Sequence, residues 1–340
     1  MKPGFLYFIV LLLCACNNNK DVPDVSDIKM NVSVKRFERD FFGMDTTRLQ
    51  ASLQAVEQIY PAFLPTYFKY FAPLGEMARA KGVPFEVELR DYIRNVKPMA
   101  ADAEKAFPSL SSIEEDLNDN LRYVKHYFPS FNQPAVLSSV EGLNPENQSE
   151  LYGATYYKDT LVISLQMFLG KDYQAYNPEF YPDYLRRRFA PQYIVPNCLR
   201  AVAGEVYRDT AEGASLIEQM IEKGKQWWLL KKFLPDTPDS LITGYTAQQT
   251  ADLAREEGNV WGSITQNENL FSVDPNTVQT YIGEAPFTRT LPQGAPGNIG
   301  PWIGWRIVNK FEAGHPKASV QEILRTTAKK IFEEAKYRPK

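Results

Sequence analysis

The sequence predicts one α-rich α+β domain with a small central sheet. Long stretches on both sides of the middle of the chain repeat apolar residues at helical spacing and begin with side chains that can cap a helix. Residues 133–169 instead follow the spacing of strands. No internal repeat and no linker divides the chain into two hydrophobic cores, so one core is the simplest arrangement.

The folded part is expected to begin near Val32. Residues 31–37 alternate polar and apolar side chains, which predicts a first strand. A helix follows, which Thr46 or Thr47 can cap and Pro61 ends. Its apolar face consists of Leu49, Leu53, Val56 and Tyr60.

A second helix is expected after Pro108. Two capping boxes are possible at its start, Ser111 with Glu114 or Ser112 with Glu115. Its buried face is predicted to consist of Ile113, Leu117, Leu121, Val124 and Phe128.

The middle of the chain predicts three strands. Residues 135–140 form one candidate, and residues 151–157 and 160–165 form a hairpin joined at Lys158 and Asp159. Helices are predicted between the first strand and these segments and again after them. The strands therefore suggest a small sheet inside a helical domain.

The C-terminal half is predicted to be helical. One helix runs from near Pro196 towards Gly224, and the next contains Trp227, Trp228, Leu230 and Phe233. Three further helices are predicted from their end signals: one capped by Thr246 with Gln249 and closed by Gly258, one over residues 300–314, and one from Ser319 with Glu322 as its capping partner.

The N-terminus has the pattern of a lipoprotein export signal. Lys2 precedes an apolar run over residues 5–13 that is too short to span a bilayer stably, although an uncleaved membrane helix is the alternative. Residues 13–16 (LCAC) resemble the bacterial lipobox. By that resemblance residues 1–15 are a signal peptide and Cys16 becomes the lipid-modified mature N-terminus. Residues 16–30 are expected to form a flexible tether, which leaves residues 31–340 as the globular domain.

Charge and histidine content argue against several classes of function. The net charge is −3 with no long run of one sign, so a nucleic-acid partner is not expected. His126 and His315 are the two histidines, and neither has metal-ligand spacing to another residue, so we expect neither a metal nor a cofactor. Cys198 has no disulfide partner once Cys16 is acylated and is predicted to be a buried small apolar side chain.

Residues 296–308 (PGNIGPWIGWRIV) place small residues beside two tryptophans at the start of a helix. One interpretation is a tight helix crossing with tryptophans in the core. Another is a partner-binding groove lined by Trp302, Trp305 and Arg306, in which the free amides of the helix start receive an anionic group. Both interpretations can hold together.

Several ordered segments resemble the GldB family of gliding-motility lipoproteins, in addition to the lipobox and the tryptophan segment. They are residues 169–172 (LGKD), 183–189 (DYLRRRF), 193–196 (YIVP), 224–225 (GK), 242–246 (ITGYT) and 267–272 (NENLFS). The resemblance covers most of the mature chain. It implies a host in the Bacteroidota and a role in the cell envelope that supports gliding motility.

The GldB family is similar in turn to predicted zinc proteases, which implies a zincin-like fold. The segment that corresponds to their metal-binding helix is residues 204–208 (GEVYR), where both histidines are missing. Arginine cannot ligate zinc, so the resemblance implies a scaffold without its metal. We expect Arg208 to replace the positive charge of the zinc by pairing with Glu205 and with Glu268 in a partly buried cleft. The alternative is an ordinary exposed Glu–Arg pair.

These observations predict a non-catalytic, zincin-like lipoprotein that binds a protein or peptide in the gliding or associated secretion apparatus. Its lipid attaches it to a membrane. Asn17 is not the aspartate that retains lipoproteins at the inner membrane, which favours the outer membrane, and the periplasmic face is favoured over the cell surface. Two alternatives are an envelope peptidase with a non-standard or carboxylate-bound metal site and a structural lipoprotein whose cleft holds no ligand.

Overall fold

The computed structural model describes residues 22–144, 151–291 and 294–340. The sheet in this part of the chain consists of β1 (Val34–Arg36), β2 (Ala135–Ser139), β3 (Ala154–Tyr157) and β4 (Thr160–Ser164). The helices of the N-terminal half are α1 (Phe37–Phe42), α2 (Leu49–Ile59), α3 (Phe63–Thr66), α4 (Leu74–Lys81), α5 (Phe85–Ala106) and α6 (Ser111–Tyr127). The remaining helices are α7 (Asp183–Arg186), α8 (Ile194–Val206), α9 (Leu216–Phe233), α10 (Asp239–Thr243), α11 (Ala247–Arg255), α12 (Glu257–Asn267), α13 (Pro275–Ile282), α14 (Ile299–Gly314), α15 (Val320–Arg325) and α16 (Ala328–Ala335).

The sheet has the order β1-β2-β4-β3. β1, β2 and β4 are parallel, and β3 pairs antiparallel with β4. Val136 is central, opposite Val34 on one side and Leu161 on the other. The turn between β3 and β4 has positive φ at Lys158 (46°) and Asp159 (58°), as a two-residue turn that follows the strand twist requires. The predicted hairpin and the α-rich α+β class are therefore confirmed.

The first strand is shorter than predicted. Phe37 already belongs to α1, because it and Phe41 point into the same aromatic cluster at helical spacing. β1 is an edge strand, so one side of it has no neighbouring strand to accept its backbone hydrogen bonds. The Glu114 carboxylate accepts one of them, from the backbone N–H of Val34 at 2.7 Å. This contact occupies Glu114, so the box of Ser111 with Glu114 does not form. The box of Ser112 with Glu115 is also absent, because α6 begins at Ser111 after Leu110 without a side-chain cap.

The predicted helix from Pro196 towards Gly224 is wrong, since two helices occupy this region. α8 ends at Val206, and a new capping box of Ser215 with Glu218 starts α9. Polar residues between them favour a turn over a continuous helix. Most faces of α9 are buried, so its apolar residues form no single stripe in the sequence that would mark where the helix begins.

Two other predicted helix ends differ. Thr246 and Gln249 form the predicted capping box of α11, but the helix ends at Arg255 and Gly258 lies within α12. Gly258 instead allows close contact with the C-terminus, since a β-carbon there would lie 2.6 Å from the Lys340 backbone. The capping box of Ser319 with Glu322 is confirmed, and the C-terminal segment then divides into α15 and α16.

The helical layer is organised by α9 and α14, which form the most extensive helix pair in the described chain. Gly304 faces the backbone of Met220, and Gly224 faces the backbone of Gly304. The two helices therefore approach closely, as the tight-crossing interpretation expected. α8 packs between α9 and strands β3 and β4, and it buries Cys198. Burial raises the pKa of the Cys198 thiol, in agreement with a packing role.

A buried polar cluster lies at the carboxyl ends of the parallel strands. The Glu141 carboxylate accepts hydrogen bonds from Ser139 and from the Gln166 amide. Glu38 is also buried here and accepts a hydrogen bond from Ser138 at 2.7 Å. Burial raises the pKa of Glu141, and the charge of Glu38 adds to this effect. Folding therefore makes Glu141 hold its proton more tightly than in the unfolded chain, although the hydrogen bonds that it accepts oppose this effect.

This raised pKa predicts a pH-dependent stability that Glu141→Gln removes. A carboxyl whose pKa is raised on folding contributes stability below its unfolded pKa and loses it as the pH rises through the folded pKa. The free energy of unfolding of the wild type should fall relative to that of Glu141→Gln between pH 5 and 8, by at most about 1.4 kcal/mol per pH unit. Urea unfolding at both pH values measures the difference.

Glu104→Gln is the matched control, because Glu104 is exposed and its pKa is lowered by the hydrogen bond from Arg39. The free energy of unfolding of Glu104→Gln should not rise relative to that of the wild type at high pH. If the free energies of unfolding of the wild type and of Glu141→Gln changed equally with pH, the pH effect could not be assigned to Glu141.

Candidate functional site

The tryptophan segment forms the first half of α14. Asn298 precedes the helix in the left-handed conformation, with φ 57°. Trp302 and Trp305 are 4% and 5% exposed, so both rings belong mainly to the core. The Trp305 ring packs edge-on against Trp227 of α9. The core interpretation of the tryptophans is therefore confirmed.

One edge of Trp305 and the side chain of Arg306 also line an open groove of about 260 Å³. We call this surface the tryptophan groove. Its other principal lining residues are Tyr127, Trp228, Lys231 and Lys232. Trp302 lies outside it, with the Arg306 guanidinium 6.0 Å from its ring. Val22 and Pro23 form part of one wall, so the described chain begins beside the groove.

Each cation of the tryptophan groove has an acidic partner. Lys231 contacts Asp239 at 3.1 Å, Lys232 contacts Glu312 at 2.8 Å, and Arg306 contacts Glu257 at 3.0 Å. Glu312 also accepts a hydrogen bond from the Trp228 indole. The groove therefore combines aromatic edges with partly exposed ion pairs, which can exchange an internal carboxylate for one on a partner at little cost.

Glu205 and Arg208 lie at and beyond the end of α8. The contact between them is 4.0 Å long, and their side chains are 47% and 79% exposed. Glu268 accepts a hydrogen bond from the Tyr281 hydroxyl, and within the described residues no ion pair joins it to Arg208. Because α8 ends at Val206, Arg208 points to solvent. The geometry is that of an ordinary exposed pair, the alternative considered for these residues.

Several of the sequence segments that resemble the GldB family meet around one buried pocket. Arg188, Tyr193, Gly244 and Asn298 come from four of them and line the same small cavity. Sequence reasoning did not identify this cavity as a site, although the run of three arginines at residues 186–188 was a possible signal.

Comparison with known families agrees with this resemblance. The family model described as gliding motility protein GldB matches residues 18–339. The chain belongs to the GldB family. It is therefore a cell-envelope lipoprotein associated with gliding motility. No curated protein and no solved structure matches this GldB-family chain.

Two structural findings bear on the chemistry of this GldB-family chain. Among the described residues, no group of three or more histidine, cysteine, aspartate or glutamate side chains is placed to hold a metal ion. No helix in the same ranges is long and apolar enough to cross a membrane. The predicted lipid site, Cys16, lies outside the described residues. Of the predicted tether, the described part from Val22 lies against the domain and buries Val25.

Proposed function

We propose that this lipoprotein is a non-catalytic, zincin-like scaffold that binds a protein or peptide partner of the gliding or associated secretion apparatus. The tryptophan groove is the binding surface. The observation that supports this most directly is the position of Trp305 and Arg306 in an open groove beside the start of the described chain. Aromatic and arginine side chains are enriched where proteins bind one another.

The proposal includes a location for the partner. Cys16 carries the lipid and holds the domain at the outer membrane, on its periplasmic face. Six residue steps from Cys16 to Val22 span at most about 20 Å even when fully extended. Since Val22 borders the tryptophan groove, a partner bound there lies close to the membrane surface. Such a place suits a scaffold that presents one envelope component to another.

Site-specific photo-crosslinking in cells tests this surface. A crosslinking amino acid at Asn309, which lines the groove, should capture one partner of defined mass. Adding Lys232→Glu and Arg306→Glu should reduce that adduct at least about tenfold, because reversed charges repel a partner carboxylate that pairs with these cations, and each change places two carboxylates side by side.

Arg208→Glu is the matched control for the charge reversals, because Arg208 is exposed at the end of α8. This variant should keep the adduct. Equal loss in the control, or an adduct that the two groove substitutions leave unchanged, would contradict the groove as the binding surface. A structural lipoprotein without a ligand in the groove would give no adduct from Asn309.

The competing proposal is an envelope peptidase that uses a non-standard or carboxylate-bound metal site. We expect the purified protein not to cleave casein, with or without added zinc. Cleavage that Glu205→Gln abolishes would establish the peptidase instead, and the control Glu212→Gln, a carboxylate outside the zinc-protease-like segment, should then leave it intact.

A further inference from the structure

The small cavity where the family segments meet contains an arginine with unused donors. We call it the arginine pocket and define it by Tyr152, Arg188, Asn197, Arg200, Glu284 and Asn298. Arg188 is 7% exposed, and its Nη1 donates to the Glu284 carboxylate at 3.0 Å. Its Nε and Nη2 groups are buried and have no hydrogen-bond partner in the described chain. A buried N–H without a partner is costly, so these groups call for an acceptor.

Arg200 supplies a second unused donor to the same region. Its Nη2 donates to the backbone carbonyl of Ile242, whereas its Nε is buried without a partner among the described residues. Both guanidiniums lie near the Tyr152 ring, at 5.3 Å (Arg188) and 5.0 Å (Arg200) from its centre. One aromatic ring thus holds two positive groups side by side.

The pocket carries more positive than negative charge. Arg188 and Arg200 contribute two guanidiniums, and among the described residues Glu284 is the one carboxylate that lines the cavity. An arginine side chain does not release its proton in a protein, so burial cannot remove the excess. Burial lowers the pKa of Arg200, and the charge of Arg188 lowers it further, whereas the Glu284 carboxylate favours the charged form of both arginines. One additional negative charge would balance the pocket.

The backbone around the pocket also favours an anion. Asn298 lies directly before α14, a helix of 16 residues whose first N–H groups carry partial positive charge. The Asn298 side-chain oxygen has no partner in the described chain, so its amide can rotate to present the NH₂ group instead. Gly244 has φ 76°, and a β-carbon there would lie 2.7 Å from Arg188 Cδ. A glycine is therefore needed for Arg188 to occupy this position.

The volume of the cavity limits what can bind. It measures about 10 Å³, which is close to the space needed by one water molecule. A carboxylate on a partner chain could not enter without displacing Glu284 or opening the helices. The space fits a monatomic ion.

We propose that the arginine pocket binds one halide-class anion, such as chloride, between Arg188, Arg200 and the start of α14. The bound ion accepts the unused Nε and Nη2 donors and balances the second guanidinium. It thereby links α8 and the start of α14 to the segment after α7, which carries Arg188. This site is independent of the tryptophan groove and of the partner proposed there.

Bromide replaces chloride in the test because its anomalous scattering identifies the ion. Crystals of the protein grown in sodium bromide should show an anomalous peak within hydrogen-bond distance of Arg188 Nε. In solution, Tm should be higher in sodium chloride than in sodium gluconate at equal ionic strength and should rise with the logarithm of chloride concentration. A water at that position, together with equal Tm values in the two salts, would overturn the proposal.

Two substitutions with opposite expected effects complete the test. Arg200→Gln should abolish the difference in Tm between chloride and gluconate, because it removes the excess charge. Glu284→Gln should lower the halide Kd about tenfold, since one competing negative charge is lost while the two arginines remain. Arg208→Gln, an exposed control, should behave as the wild type. If Arg200→Gln does not fold, an unchanged Kd in Glu284→Gln still contradicts the site.

Discussion

Gly304→Ala is expected to lower the free energy of unfolding by about 3 kcal/mol, although alanine is the better helix former. A β-carbon at position 304 would lie 1.7 Å from the Met220 carbonyl oxygen and 2.4 Å from its carbon. Both neighbours are backbone atoms of α9, so no side chain can move aside. The helices must separate, and the core between them then loses contacts. Urea denaturation measures the change.

Gly262→Ala provides the matched control, because Gly262 also lies inside a helix but a β-carbon there would meet no neighbouring atom within 4 Å. At this position the substitution should leave stability unchanged or raise it by up to about 1 kcal/mol, as the intrinsic helix preference predicts. The α9–α14 crossing would not be the close contact described above if both variants were equally stable.

Lys225→Met is expected to cost about 3 to 5 kcal/mol of stability. Lys225 is 1% exposed, and its ammonium group contacts the Glu222 carboxylate at 2.7 Å. It also donates to the backbone carbonyls of Leu324 and Thr326, at 3.1 and 2.7 Å. These bonds attach α9 to the end of α15. Methionine fills the space but leaves the two carbonyls without this donor and the buried Glu222 carboxylate with the Tyr207 hydroxyl but without a positive partner.

Lys223→Met is the control for the loss of a lysine on the same helix. Lys223 pairs with Asp209 at 2.7 Å, but its side chain is 39% exposed, so its loss should cost less than about 1 kcal/mol. Thermal and urea unfolding of both variants compare the two positions directly. An equal, small effect at position 225 would mean that water replaces the ammonium group and that the network contributes little.

Local sequence signals identified several helices correctly because the side chains that decide them are close together in the chain. The capping boxes at Thr246 and Ser319 and the face of α2 are examples. The failed capping box of α6 shows the limit of such signals. Glu114 has the right spacing to cap, but it contacts the edge of β1, 80 residues earlier, and that contact cannot be read from spacing.

The helices between Pro61 and Pro108 were not predicted from the sequence. α3 is short, and the π-helical turn at Tyr67–Phe71 interrupts the helical period. α5 has 22 residues and continues through Pro98, a residue that usually ends a helix. Phe37, Phe41 and Tyr67 pack together across these elements, and Phe41 also contacts Tyr92 of α5, so long-range packing that local patterns do not encode connects them.

For the candidate site, sequence patterns found residues but not their neighbours. Trp305 and Arg306 were identified from a short segment, whereas Trp228, Lys231 and Lys232 reach the groove from α9. The pairing of Glu205 with Arg208 was anticipated, but their exposure depends on the end of α8 at Val206. Burial is a property of the assembled chain, so a motif alone does not predict it.

The sequence by itself determined the export signal pattern, the family, the α-rich class and the hairpin, because each depends on residues that are neighbours in the chain or on ordered motifs. The tertiary structure decided the helix crossing at Gly304, the tryptophan groove and the arginine pocket. Each of these joins residues more than 50 positions apart, such as Arg188 and Glu284. Their contacts arise from packing and from the balance of buried charge, which no local pattern encodes.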